Sequence, residues 1–216
     1  LRVGTLQYFA ARGELEALRD VAQHALSRHD PALLERPEAE RWPALLAAVA
    51  DRQARLIAQW MGVGFIHGVM NTDNMTLSGE SIDFGPCAFM EAYDPQTVFS
   101  SIDHGGRYAF ENQPLIARWN LARLAEALLP LMASADDEAA VKAAVATVME
   151  VIDAFPARFE TEWHAVLAEK LGLPGPQNRA GAGAPPDGQA DRALADDWLA
   201  LLQAHEVDMT QALSLI

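Results

Sequence analysis

The stretch "HGVMNTDNMTLSGESIDFGP", residues 67–86, interrupts a chain whose other segments are mainly apolar and helix-like. Its twenty residues contain two Asn, two Asp and three Gly. Asn and Asp side chains hydrogen-bond the backbone in turns, and Gly adopts conformations closed to other residues. The pattern predicts a tight polar loop flanked by two short strands, Phe65–Ile66 and Ser81–Phe84, at the centre of a mostly helical fold.

Two helices are predicted upstream of this loop. Apolar residues recur at helical spacing from Gly13 to about Arg28, which indicates an amphipathic helix. A longer helix begins near Pro37 or, more securely, at Pro43, because proline is best tolerated in a first turn. It continues to Met61, after which glycines end the pattern.

Downstream of the loop, residues 86–114 have little periodicity and predict an ordered but irregular segment. Helices resume at 114–132 and again from Ser134, whose hydroxyl is a candidate N-cap. The apolar face of this last helix continues beyond Pro156, where a kink or break is expected. A final helix is predicted at 191–204, and all five tryptophans are expected to belong to the core.

Three regions follow from this organisation. Residues 1–172 form the main helical body with the loop 67–86, the Gly/Pro/Ala-rich stretch 173–190 reads as a flexible loop, and 191–216 form a C-terminal helical segment. The chain begins without an initiator Met, inside apparently packed sequence. We therefore expect it to be part of a longer protein.

Composition restricts the partners and the compartment. The formal net charge of −14 argues against nucleic acid or an anionic membrane as the main partner. Cys87 is the only cysteine, so an internal disulfide is excluded and a reducing environment is favoured. The sequence shows no signal peptide and no apolar run long enough to span a membrane. A cytoplasmic location is expected.

The central loop carries the residues best suited to chemistry. Asp73 and Asn74 are adjacent, and Asp83 follows before Phe84 and Gly85. Carboxylate and amide oxygens are the ligands that Mg²⁺ prefers, with phosphate and water completing its coordination. The same residues also stabilise turns that hold no metal. Spacing alone leaves both interpretations open.

A comparison with kinase-type motifs favours the metal interpretation. In H-R-D-x-x-x-x-N followed by D-F-G, the Asn and the second Asp hold metal ions. Here Asn74 lies seven residues after His67, and "DFG" occupies 83–85. Val69 stands where the kinase catalytic Asp would be, which is typical of a pseudokinase, and Asp73 offers an alternative carboxylate. His67 is expected to hydrogen-bond the loop backbone.

Five longer motifs extend the comparison: "LRVGTLQYFAARGELEALRDVAQHAL", "HGVMNTDNM", "DFGPCAFM", "SSIDHGGRYAFENQP" and "ARWNLARLAEAL". Together they resemble the selenoprotein O (SelO) family of kinase-like protein adenylyltransferases. The resemblance implies the helical C-lobe of a protein-kinase-like fold. It also implies transfer of AMP from ATP to Ser, Thr or Tyr hydroxyls of proteins, with the nucleotide bound in a flipped orientation.

The resemblance gives roles to four residues. Asn74 and Asp83 match the ligands of Mg²⁺ or Mn²⁺, Asp73 matches the catalytic base, and Arg2 matches an arginine that contacts the nucleotide phosphate. The expected partners are protein substrates with hydroxyl side chains and the missing N-terminal lobe of the same protein, without which we expect the isolated chain to be inactive. Two alternatives remain: a phosphotransferase of the small-molecule kinase type, and a non-catalytic pseudokinase interaction module.

Overall fold

A computed structural model describes residues 1–173 and 189–214, and these residues are mostly helical. Seven α-helices occur in these two ranges: α1 Val3–Ala11, α2 Leu15–His29, α3 Glu38–Gly62, α4 Gln113–Met132, α5 Glu138–Lys170, α6 Gln189–Ala204 and α7 Met209–Ser214. Short 3-10 helices occupy Pro31–Glu35, Thr72–Asn74 and Phe110–Asn112. The predicted mostly helical fold is confirmed, whereas the kinase-like C-lobe stays a prediction.

The single small sheet among the described residues has two antiparallel strands. Strand β1 is Phe65–Ile66 and strand β2 is Ala88–Phe89, with Phe65 opposite Phe89 and Ile66 opposite Ala88. The first predicted strand is therefore confirmed. The second prediction, Ser81–Phe84, is wrong: Asp83 has a φ of 59°, which is incompatible with the extended backbone of a strand.

The helices with strong apolar periodicity lie where they are predicted. Helices α2, α4 and α6 start and end within about two residues of the expected positions. In α2 most of the periodic face is buried, because Leu18, Ala22, Ala25 and Leu26 have no solvent exposure, whereas Leu15 at the start of the helix is 45% exposed. Burial of one apolar stripe is the main source of helix stability in a folded protein.

Helix α3 starts earlier than the more secure of the two predicted positions. It begins at Glu38, directly after Pro37, and Pro43 lies inside it. Proline in a helix removes one backbone hydrogen bond. Next to Pro43, the side chains of Trp42, Leu45 and Leu46 are completely buried, and their packing offsets that loss.

Two expectations for α5 are also corrected. Asp137, and not Ser134, precedes the helix as its cap, since its Oδ1 accepts the backbone N–H of Ala140 at 2.9 Å. The helix continues without a break through Pro156. The apolar side chains of Ile152 and Phe155 are buried immediately before the proline, which favours continuation of the helix.

The described residues divide into two compact units. Unit 1 contains Leu1–Leu56, Met70–Phe84 and Pro114–Arg158; unit 2 contains Ile57–Val69, Gly85–Gln113 and the described residues from Phe159 onward. The core of unit 1 includes Leu6, Trp42, Leu77 and Leu121, and that of unit 2 includes Ile57, Ile66 and Phe110.

The tryptophans do not all belong to these cores. Trp42 and Trp60 are buried, whereas Trp119 is 43% exposed, so its predicted core position is wrong. The Arg123 guanidinium lies 5.2 Å from the centre of the Trp119 ring, and this cation–π contact favours an aromatic side chain at the surface.

The predicted flexible stretch 173–190 falls almost entirely outside the described residues. Of the residues that are described, no helix is both long and apolar enough to cross a membrane.

Candidate functional site

The four sequence-predicted site residues all belong to unit 1. Arg2 forms an isolated antiparallel bridge with Thr76, and the flanking bonds run from Val3 N–H to Met75 O and from Leu77 N–H to Leu1 O, both 3.0 Å. This short ladder holds the start of α1 beside the segment that carries Asp73 and Asn74. Residues about seventy positions apart in sequence are thereby brought together.

Asp73 and Asn74 lie on the 3-10 helix Thr72–Asn74, which Asn71 caps. The Asn71 Oδ1 accepts the backbone N–H groups of Asp73 and Asn74 at 3.0 and 3.1 Å. Asparagine is favoured as a cap because its side chain satisfies N–H groups that the helix leaves without partners. Sequence reasoning missed Asn71, although an Asn immediately before "TDN" is a recognisable capping signal.

The Asp73 carboxylate lies against the N-terminal end of α1. A Cβ atom added to Gly4 would be 2.0 Å from Asp73 Oδ1 and 3.0 Å from its Cγ. Only glycine leaves room for this approach. The first turn of a helix carries the positive end of the helix dipole, which favours negative charge at this position. Gly4 is a second residue that sequence reasoning did not single out.

Asn74 and Asp83 are in direct contact. Asn74 Nδ2 donates a hydrogen bond to Asp83 Oδ2 at 2.7 Å. Asp83 has a left-handed backbone with φ of 59°, and Asp is among the few non-glycine residues that adopt this conformation regularly. The turn that separates the two residues is closed by Thr76, whose Oγ1 donates to Glu80 O and accepts from Glu80 N–H.

Helix α3 supports the far end of the loop through an ion pair. Arg52 Nε donates to Leu77 O at 2.9 Å, and its two terminal nitrogens bind the Asp30 carboxylate at 2.8 and 2.9 Å. This bidentate arrangement fixes the guanidinium plane and thereby the direction of the Nε–H bond. The backbone at Leu77 therefore depends on a side-chain network that begins at Asp30, directly after α2.

His67 lies in unit 2 and has a structural environment. It is 1% exposed, its backbone N–H donates to Gln113 Oε1 at 3.1 Å, and its Nδ1 accepts from Val69 N–H at 3.5 Å. Its ring is 5.3 Å from that of Trp60. The predicted hydrogen bond to the loop backbone is therefore confirmed.

Burial shifts the pKa values of Tyr93, His164 and His29. Burial raises the pKa of Tyr93 to about 12, with further contributions from Glu111, Asp196 and Asp94. Burial lowers the pKa of His164. Burial and the positive charge of Arg52 lower the pKa of His29.

No cluster of three or more His, Cys, Asp or Glu side chains suitable for a metal occurs within 1–173 and 189–214. The contacting pair Asn74 and Asp83 supplies one amide and one carboxylate. Two such side chains would not complete a Mg²⁺ shell, which also takes oxygens from a bound molecule or from water.

Comparison with known proteins gives a consistent result over the whole chain. The family described as "Protein adenylyltransferase SelO" matches residues 1–216. A "Protein nucleotidyltransferase YdiU" of Chromobacterium violaceum is 56% identical over 212 residues, which cover 98% of this chain and 41% of the relative.

Relatives of the same name occur in other bacteria. The protein of Rhizobium rhizogenes is 52% identical over 210 residues, covering 97% of this chain and 38% of the relative. That of Mycolicibacterium paratuberculosis is 51% identical over 210 residues, covering 97% and 40%. The chain thus spans about two fifths of the length of these curated relatives.

Proposed function

Because this chain belongs to the SelO family, we propose that the complete protein is a protein adenylyltransferase that moves AMP from ATP to protein hydroxyl groups. The observation that carries the proposal is the contact between Asn74 and Asp83 at 2.7 Å, on the same loop as Asp73 and as Thr76, to which Arg2 is bridged. These are the residue types that a metal–nucleotide site requires.

The two residues fit a divalent metal on geometric grounds. Octahedral Mg²⁺ with oxygen ligands at about 2.0–2.1 Å places neighbouring oxygens roughly 2.9 Å apart. The Asn74 Nδ2 and Asp83 Oδ2 atoms are 2.7 Å apart, and a half-turn of the amide exchanges Nδ2 for the oxygen Oδ1. We propose that Asn74 and Asp83 hold Mg²⁺ or Mn²⁺, which when bound would neutralise charge on the phosphates.

Asp73 is proposed as the base that activates the acceptor hydroxyl. Its carboxylate is solvent-exposed, whereas His67, the histidine of the loop, is buried and uses Nδ1 for Val69 N–H. In the proposed step, Asp73 takes the hydroxyl proton while the hydroxyl oxygen bonds to the α-phosphorus. The bond from that phosphorus to the bridging oxygen breaks, and pyrophosphate leaves.

Arg2 is proposed to contact the nucleotide phosphate. Its side chain is exposed, and its backbone is fixed beside Thr76 at the start of α1. A guanidinium group remains positively charged and presents several N–H donors to phosphate oxygens. A cation at this position would stabilise the negative charge that develops during transfer.

The deciding experiment supplies the complete protein with Mg²⁺, a mixture of acceptor proteins and ATP labelled at either the α- or the γ-phosphate. Stable attachment of the α-label alone is the expected result. Attachment of only the γ-label would replace the proposal with a phosphotransferase. Attachment of neither label, together with failure to bind Mg·ATP, would leave a non-catalytic interaction module.

A further inference from the structure

Two buried amide side chains bind the two ends of residues 70–76, the part of the loop that carries Asp73 and Asn74. Gln53, on α3, is 2% exposed, and its Nε2 donates to Thr76 O at 2.7 Å. Asn120, on α4, is 0% exposed, and its Nδ2 donates to Met70 O at 3.0 Å. All of these residues belong to unit 1.

Burial makes these two bonds important for the backbone. A buried carbonyl that loses its hydrogen-bond partner has a substantial free-energy cost, so the loop is favoured where both amides reach it. Gln53 and Asn120 are distant in sequence from the carbonyls they bind, by 23 and 50 residues. They connect the loop to two separate helices and not to its own neighbours.

The catalytic side chain of the loop has no comparable packing. Asp73 is exposed and Asn74 is half-buried, so their positions depend on the backbone that carries them. Between the two anchors, the loop is shaped by the Asn71 cap and by the bond from Val3 N–H to Met75 O. Displacing a reactive group by about 1 Å can lower a rate roughly a hundredfold.

We propose that Gln53 and Asn120 are positioning residues that fix both ends of residues 70–76 and thereby set the positions of Asp73 and Asn74. The inference rests on the proposed function for its catalytic consequence. Its structural part, the restraint of the loop backbone, is independent of which reaction the loop performs.

The test uses near-isosteric variants of the complete protein that remove the donor. In Gln53→Glu and Asn120→Asp the amide nitrogen becomes a carboxylate oxygen, which repels the backbone carbonyl. The kcat for α-label transfer, measured well below the unfolding temperature, should fall about 10- to 100-fold. Hydrogen exchange at the amides of Asp73 and Asn74 should become faster.

The Gln53→Glu variant also provides a rescue by pH. A protonated carboxyl group can donate to Thr76 O as the amide does, and burial raises the pKa of a carboxyl group. Relative to wild type at the same pH, its kcat should therefore recover as the pH is lowered. Gln53→Met has a similar shape but no donor at any pH, so it should stay impaired throughout.

Arg118→Met is the matched control. Arg118 lies on α4, two residues before Asn120, but its Nε donates to Ile152 O on α5. This variant loses a side-chain bond to a backbone carbonyl, together with the exposed ion pair to Asp153, without releasing the loop, so its kcat and the exchange at Asp73 and Asn74 should match wild type.

The outcomes separate this inference from the proposed function. If wild type transfers no α-label but exchange at residues 71–75 is still faster in the Gln53 and Asn120 variants, the proposed AMP transfer is wrong. The proposed restraint of the loop backbone by Gln53 and Asn120 is then supported. If the folded variants keep both wild-type kcat and wild-type exchange, the anchoring is wrong. If Gln53→Glu fails to fold, wild-type kcat and wild-type hydrogen exchange in Gln53→Met would also overturn the anchoring proposal.

Discussion

The carboxylate of Asp73 occupies the space that a side chain on Gly4 would fill. A Cβ at Gly4 would lie 2.0 Å from Asp73 Oδ1, far inside van der Waals contact. The second residue of α1 and the proposed base therefore cannot both keep their positions if Gly4 gains a methyl group. Because Asp73 is exposed, its side chain can rotate away without disturbing the core.

Replacement of Gly4 by alanine should consequently separate activity from stability. Alanine favours a helix by roughly 0.5–1 kcal/mol over glycine, so the free energy of unfolding should not fall. The displaced carboxylate should lower the kcat for AMP transfer by about 10- to 100-fold. Steady-state transfer of α-label and thermal unfolding, both in the complete protein, measure the two quantities.

Gly105→Ala is the control for this substitution, because a Cβ at Gly105 would meet no atom within 4 Å. Wild-type kcat in both variants would show that the Asp73 position does not matter for turnover. Loss of stability in Gly4→Ala would show that the contact involves the backbone of the loop.

Asp73→Asn tests the base directly. The amide keeps the size of the side chain but accepts a proton very poorly, and general base catalysis typically contributes about 10²–10⁴-fold. We expect kcat to fall within that range while the Kd for Mg·ATP changes little. An equal loss of nucleotide affinity would contradict a base role and would assign Asp73 to binding. Asp20→Asn, on the exposed surface of α2, is the control.

Asp83→Asn tests the proposed metal contact without disturbing the backbone. Asn tolerates the left-handed conformation found at Asp83, whereas Ala at φ of 59° adds about 1–2 kcal/mol of strain. Both variants should lose Mg²⁺-dependent turnover, but only Asp83→Ala should also unfold at a lower temperature. Turnover titrated with Mg²⁺ and a melting curve for each variant give the comparison. Turnover of Asp83→Asn at the wild-type rate would remove Asp83 from the metal site.

Local sequence patterns predicted the helices better than the turns. The stripe of α2 and the spacing of His67, Asn74 and Asp83 are short-range features, and periodicity or motif order reveals them. Strand propensity takes no account of the left-handed backbone at Asp83, so the prediction of a strand at 81–84 is wrong. The preference for Pro43 as the start of α3 is wrong, because the burial of the side chains next to Pro43 outweighs the tendency of proline to lie in a first turn.

The supports of the site were not predictable in the same way. Gln53 and Asn120 each bind one backbone carbonyl far away in sequence, and any segment offers such a carbonyl. The contact of Gly4 with Asp73 likewise depends on the three-dimensional approach of α1 to the loop. The residues proposed to carry chemistry form a motif, whereas the residues proposed to position them form none in a single sequence.

The ion pair between Arg52 and Asp30 should contribute measurably to stability. Their side chains are only 22% and 15% exposed, and the pair is bidentate while Arg52 Nε also holds Leu77 O. Arg52→Met would leave a partly buried carboxylate without its partner, which we expect to cost about 2–4 kcal/mol in the free energy of unfolding. Urea unfolding of the complete protein measures this change.

Arg19→Met provides the comparison, because the Arg19–Glu38 pair is about half exposed at both ends. Exposed pairs contribute about 0–1 kcal/mol, so this variant should be close to wild type. Equal effects of the two substitutions would show that burial of the Arg52 pair adds nothing.

Tyr93 should make unfolding depend on alkaline pH. It is 8% exposed, and burial, followed by Glu111, Asp196 and Asp94, raises its pKa to about 12 from an ordinary value of 10.0. The folded state therefore keeps the phenol proton at a pH where the unfolded state releases it. Its stabilising contribution is complete below pH 10 and is lost as the pH rises toward 12.

Tyr93→Phe keeps the ring, which packs edge-on against Phe110, and removes the titrating hydroxyl. We expect the free energy of unfolding of the variant to decrease less steeply than that of wild type between about pH 10 and 12. Urea unfolding at several pH values in this window, with phenolate absorbance recorded in parallel, provides the measurement. Identical slopes for the two proteins would mean that Tyr93 titrates in the folded state as it does in the unfolded chain. That result would contradict the prediction that burial among acidic groups raises its pKa.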